Sequence, residues 1–211
     1  TQLQRSDLSS SRFGIWANSL ALSVAGITRD TPDPPRGVID RDPKTGEPTG
    51  TLREEAVDLV RRHAPESTGT EHRDGLKRAL AELNRFGIVS FQEASADRAI
   101  ADTYLAAEKE GWLTARVRAA LRVNPAAGEM QVPQLIEWRS ACKGRRVSCG
   151  AAKIFVDGVI EARTAALLEP YVTPSGMQSP SAPTGIANFE PAALNTIVRR
   201  LDKEGFQIHM L

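Results

Sequence analysis

The sequence is short of several things, and each shortage closes a class of function. Cysteine occurs only as Cys142 and Cys149 in 211 residues. Two are too few for a disulfide framework and have the wrong spacing for a zinc ribbon, so a reducing, cytoplasmic setting is expected. Neither sign of charge dominates: 27 Lys+Arg against 26 Asp+Glu leave a net +1, with no broad basic field to track a phosphate backbone. A nucleic-acid partner is therefore not expected. Nor is a membrane partner, because no apolar run approaches the roughly 18 to 20 residues that span a bilayer. There is no Gly-rich phosphate loop, no Gly-x-Ser-x-Gly elbow and no Cys/His pair at catalytic spacing. What remains is close to the globular average, with 41% hydrophobic residues, 16 Gly and 13 Pro. The length permits one large domain or a small pair.

From about residue 71 a local pattern repeats: an amphipathic stretch, a glycine, then a short β-branched or aromatic run. Leu76, Ala79, Leu80, Leu83 and Phe86 recur at helical spacing, Gly87 suits a left-handed helix end, and Ile88 to Phe91 reads as a strand. A second helix is predicted from Asp97 to Glu110, closed by Gly111 and followed by a strand from Arg116 to Leu121. A third, from Val132 to Cys142, has Leu135, Ile136 and Trp138 as its buried stripe and precedes the strand-like run Ala151 to Asp157. The last has Pro191 in its first turn and Leu194, Ile197, Val198 and Leu201 on one face, then Gly205 and a strand from Phe206 to Met210. Helices and strands alternating in this way imply parallel strands joined by crossovers, in a barrel or an open sheet.

The first 70 residues differ in texture. Thr31 to Pro35 and Asp40 to Pro48 read as turns around short strands, with a hairpin between Gly37 and Leu52. The expected division is residues 1–70 as a β-rich insertion lobe and residues 71–211 as the βα body. Tyr171 to Asn188, rich in Pro, Ser and Gly, has the composition of a long site loop or of a solvated connection.

Lys153 is the most informative residue, because it stands in an otherwise apolar strand. Alternation puts Ala151, Lys153, Phe155 and Asp157 on one face. Pointing into a barrel near the strand's carboxyl end, its amine would be desolvated and kept neutral, able to take up carbon dioxide as a metal-bridging carbamate. An ion pair with Asp157 or Glu161, or a stem reaching out to water, fits the same pattern. Asp157, Glu161, Arg163 and Thr164 follow within a few residues and suit either substrate orientation or a surface turn. His209 sits at a strand end, where a metal ligand, a general base or a hydrogen-bonded structural residue would lie. Glu93 is a carboxylate at a βα junction, or an acid favoured by a helix N-terminus. His63 and His72 receive no role, and the basic turn between Cys142 and Cys149 reads as solvated surface.

Taken together, Lys153-Ile-Phe-Val-Asp-Gly-Val-Ile-Glu161 and Arg163-Thr-Ala-Ala-Leu-Leu-Glu-Pro-Tyr171 resemble the YtcJ-like branch of the amidohydrolase superfamily, metal-dependent hydrolases that include N-substituted formamide deformylases. Trp16 to Ser19, Ala25 to Thr28, Pro34-Pro35-x-Gly37, Gly46 to Gly50 and Gly87 to Glu93 follow in the family's order. The resemblance implies an α/β fold, here a partial (β/α)8 TIM barrel of about strands 2 to 5 with a β-rich insertion lobe. It also implies a divalent metal, usually zinc, whose hydroxide attacks an amide, formamide or related C–N bond of a small-molecule substrate. Lys153 falls on the lysine that is carboxylated in many members; Glu93, Asp157, Glu161, Arg163, Thr164 and His209 are candidates behind the metal or at the substrate.

Departures from the pattern bear on activity. The family's first-strand His-x-His is absent, and its fifth-strand histidine position falls on Leu211, which cannot ligate zinc. The chain on its own is thus expected to be a fragment that is catalytically inactive and holds no metal stably. The alternative is a non-catalytic remnant of a degraded or frameshifted gene.

Overall fold

The computed structural model describes residues 8–10, 14–172 and 184–211. The middle of the Pro/Ser/Gly-rich stretch, residues 173–183, lies outside them, as do residues 1–7 and 11–13. The chain divides into two compact units. One comprises residues 1–66 and 157–188, the other residues 67–156 and 189–211. The segment 157–188 thus groups with the N-terminal unit, whereas a single boundary near residue 70 places it with the βα body.

The first unit is built on a four-stranded antiparallel sheet, in the order β1 (Leu8–Ser10), β2 (Gly14–Ala17), β4 (Pro48–Glu54), β3 (Gly37–Arg41). The hairpin expected between Gly37 and Leu52 is β3–β4. Register aligns Ile15 with Leu52 and Ile39 with Leu52, and all three side chains are buried. That row forms a small core with Val57 and Val60 of α2 (Ala56–Arg61) and Ala21 of α1 (Ser19–Val24). Alternation leaves Trp16 on the opposite face, exposed.

The second unit carries a parallel sheet in chain order: β5 (Ser90–Ala96), β6 (Arg116–Arg122), β7 (Val147–Ile154) and β8 (Gln207–Met210). Between the strands run α4 (Arg98–Lys109), α5 (Val132–Ala141) and α6 (Pro191–Lys203), with α3 (Gly69–Arg85) before β5. Thr68 opens α3 with a reciprocal capping box to Glu71, and Asp97 accepts the Ile100 N–H at 2.9 Å to open α4. Gly87, Gly111 and Gly205 take positive φ directly after α3, α4 and α6, as their sequence positions predict.

One parity of the strands (Val117, Ala119 and Leu121; Val147, Cys149, Ala152 and Ile154) shares a single core with Leu80, Tyr104, Leu135 and Ile197 of the four helices. The other parity is polar. Gln92, Arg118, Arg122, Ser148, Gln207 and His209 lie there with Lys153, and most are open to solvent. Parallel sheets normally bury both faces, so this polar face departs from the usual pattern.

Several local expectations are corrected. β5 starts two residues later than Ile88 and runs to Ala96, so Glu93 is inside the strand and not at a junction after it. Ala79 and Phe86 are exposed, because only Leu76 and Leu80 of α3 reach the sheet and Phe86 is already the helix cap. Of the α5 stripe only Leu135 is fully buried, with Val132 in place of Ile136 and Trp138, which pack at the core's margin. β7 ends at Ile154, so Phe155 to Asp157 lie beyond it, although the Val156 N–H still donates to the Leu211 carbonyl at 3.0 Å. Cys142 and Cys149 are buried and joined by a disulfide across the exposed basic turn. Solvated surface describes the turn and not the cysteines, because Cys149 faces the helices from β7.

Candidate active site

The seven candidate residues separate into two groups. Glu93, Lys153 and His209 lie in the parallel-sheet unit, and Asp157, Glu161, Arg163 and Thr164 in the other.

Lys153 is 2% exposed, at the carboxyl end of β7 and on the polar face. Register places Arg122 beside it on β6 and His209 beside it on β8, so the three make one row across neighbouring strands, about 4.8 Å apart. The ammonium lies 4.6 Å from the Phe155 ring centroid, against the ring face. His209 Nδ1 is 3.2 Å from Gln92 Nε2. Burial holds the imidazole below its ordinary pKa, and the charge of Lys153 adds to that. Without the register nothing in the sequence singles Arg122 out from the other arginines.

Glu93 points to the helix side of β5. Its carboxylate accepts the Tyr104 hydroxyl of α4 at 2.9 Å and the Ser95 N–H at 3.2 Å. Burial, and then the Glu93 charge, push the Tyr104 phenol well above its ordinary value. Ser95 is itself buried, and its Oγ accepts from Arg122 Nε at 3.2 Å. A continuous chain of hydrogen bonds therefore runs from Tyr104 through Glu93 and Ser95 to Arg122. Glu93 acts in this chain as a brace.

In the other unit Thr164 is fully buried. Its hydroxyl donates to Glu54 at 2.5 Å and accepts the Val159 N–H at 3.0 Å. Burial raises the Glu54 carboxyl above its ordinary range; the Thr164 hydroxyl lowers it, Asp157 raises it further and Arg53 opposes. Asp157 Oδ2 accepts the Ala166 N–H at 2.8 Å, and Glu161 is exposed. Glu54 and Arg163 both take positive φ, 52° and 54°, which is uncommon for residues with a side chain. These contacts shape a turn: a Cβ on Gly158 would fall onto the Thr164 side chain and the Glu54 carboxylate. Glu54 was not legible as a member of the group, because it lies about a hundred residues away in sequence.

Among the described residues no three His, Cys, Asp or Glu side chains come together to hold a metal ion. Catalytic zinc takes about three protein ligands. The described residues therefore do not make such a site by themselves; Lys153 and His209 are the donors they would bring to one. No helix among the described residues is long and apolar enough to cross a membrane.

Comparison with known proteins shows the family. YtcJ of Bacillus subtilis (strain 168), whose name assigns it to the amidohydrolases, is 30% identical over 212 residues, covering 93% of this chain and 36% of its own length. LONG AFTER FAR-RED 3 of Arabidopsis thaliana is 29% identical over 204 residues, covering 91% and 33%. The chain thus spans about a third of the length of these curated relatives. A solved structure described as an uncharacterized metal-dependent hydrolase from Pyrococcus horikoshii OT3 superposes with a TM-score of 0.58 at 23% identity, over 94% of this chain and 37% of that one. This likeness is one of fold. The sequence model of the amidohydrolase family (Amidohydro_3) matches residues 8–211, and the chain belongs to that family.

Proposed function

We propose that this chain forms part of a metal-dependent hydrolase that cleaves an amide, formamide or related C–N bond, with β5 to β8 as about strands 2 to 5 of a (β/α)8 barrel. Lys153 carries the reading. A lysine buried to 2% at the carboxyl end of a parallel strand, on the polar face and beside a histidine, stands where barrel enzymes place their chemistry. By the resemblance to the family it is the lysine that is carboxylated in many members, which would make it an anionic metal ligand.

The metal, zinc by family resemblance, needs donors that the described residues do not supply, so no reaction step is assigned through it. What these residues do is positional. Gln92 orients the His209 ring, and Glu93 braces the rim of the sheet through Ser95. Thr164 holds the turn after Asp157 together.

The test is hydrolysis by the full-length protein, loaded with zinc and offered N-formyl and N-acyl amines. Hydrolysis should depend on the metal. Lys153→Ala should reduce it by more than the about 10- to 100-fold that removing a group behind a metal ligand costs, and 13C-bicarbonate should give a carbamate resonance that the variant lacks. A full-length protein that retains no zinc and turns over no amide would establish the remnant instead.

A further inference from the structure

We propose that Arg122 recognises a carboxylate on the substrate, so that this site takes amides bearing a carboxylate in preference to neutral ones. The inference rests on the hydrolase reading above and names its substrate class.

The first support is charge. The polar face of the parallel sheet holds Arg116, Arg118, Arg122 and Lys153, and its four strands place no Asp or Glu there; the one acidic residue in them, Glu93, turns to the helices. Some arginines elsewhere in the chain pair with carboxylates, among them Arg41 with Asp33 at 2.8 Å and Arg98 with Asp102 at 2.8 Å, and others do not. Arg122 has no ion pair among the described residues.

The second support is built geometry. Ser95, 8% exposed, fixes Arg122 through Nε, and the Ser95 backbone is in turn held by Glu93 and hence by Tyr104. Nη1 and Nη2 stay without a partner among the described residues. A guanidinium anchored at Nε presents its terminal N–H groups as a planar fork that matches the two oxygens of a carboxylate. The third support is position. Arg122 stands directly beside Lys153 in the register, so a carboxylate on the fork leaves an amide a few bonds away next to Lys153.

Equilibrium binding tests this without turnover. Calorimetry on the full-length protein at low ionic strength compares N-acetylglycine with N-acetylglycinamide, a pair of nearly equal shape that differs in charge. Wild type should bind the acid about tenfold or more tightly than the amide. Arg122→Gln should abolish that preference by bringing the affinity for the acid down to that for the neutral amide, with thermal unfolding like that of wild type reporting an intact fold. Ser95→Ala keeps the charge but releases the fork, and should lose part of the preference. Equal affinities in wild type, no binding of the acid, or a preference that survives Arg122→Gln would overturn the assignment. The two readings fail separately: hydrolysis of neutral and acidic amides without discrimination removes Arg122 and keeps the hydrolase. An Arg122-dependent carboxylate preference in a protein that hydrolyses no amide keeps Arg122 as an anion site and removes the hydrolase.

Discussion

Thr164 and Glu54 illustrate how much one hydroxyl can carry. Thr164→Val is nearly isosteric, yet it leaves the half-buried Val159 N–H and the Glu54 carboxyl without this partner. The expected cost is about 1 to 3 kcal/mol in urea unfolding, most of it recovered by Thr164→Ser. Glu54 itself gives a pH signature. Its folded pKa lies above the unfolded one, so the folded state holds the proton longer. The stability contribution is complete below the unfolded pKa and lost as pH rises through the folded pKa. Glu54→Gln should therefore match wild type in thermal unfolding near pH 4 and be the more stable protein near pH 8. A gap that narrows as pH rises would contradict this assignment. The pairing of the two could not be read from sequence, where they stand about a hundred positions apart; Thr164 was a candidate as one of four hydrogen-bonding side chains just past a strand end.

At the scale of elements, the helices of the parallel-sheet unit were the most legible part of the chain, whereas α1 and α2 were not expected in a segment read as turns around short strands. Pro191 in the first turn, Ile197 and Leu201 buried four residues apart and Gly205 at positive φ place α6 where spacing puts it. The cap of α4 is equally local: Asp97→Ala removes the bond to the Ile100 N–H and should cost about 1 kcal/mol, measured by denaturant unfolding. Strand limits were less legible, because ladder partners decide them. Ile88 and Val89 have strand-like side chains but stand outside β5, whereas Glu93, Ala94 and Ser95 are inside it. The disulfide belongs to this scale as well. Cys142 ends α5, Cys149 lies in β7, and a Lys143–Ser148 bridge brings the two segments together with Cα atoms 5.7 Å apart. A loop this short should stabilise the oxidised protein by about 2 to 3 kcal/mol on a chain-entropy basis. Urea unfolding with and without reductant checks the value, and native protein should take up thiol label only after reduction.

At the scale of the whole molecule, each unit closes its own core, but not every surface is finished. Among the described residues β5 and β8 are the outer strands of the parallel sheet, and the other face of that sheet is polar. Phe86, Val89, Met210 and Leu211 are large apolar side chains left exposed at or near those strands. Open strand edges and apolar side chains together favour association. The 211-residue chain expressed alone should therefore self-associate at micromolar concentration, and light scattering would show it. A monodisperse monomer would argue that these surfaces are covered by a route not evident from the two sheets.

The sequence by itself determined the α/β alternation, the glycine helix ends, the β3–β4 hairpin and the placement of Lys153 in an apolar strand, since all of these follow from local spacing and conformational preference. Only the tertiary structure decided the contacts across the sheets: that Arg122, Lys153 and His209 share a row, that Glu93 braces Ser95 instead of facing the site, that Thr164 meets Glu54, and that residues 157–188 belong with the N-terminal unit. The physical reason is the same in each case. A strand's period tells which residues share a face, but its register with a neighbour is set by pairing and packing between segments far apart in the chain.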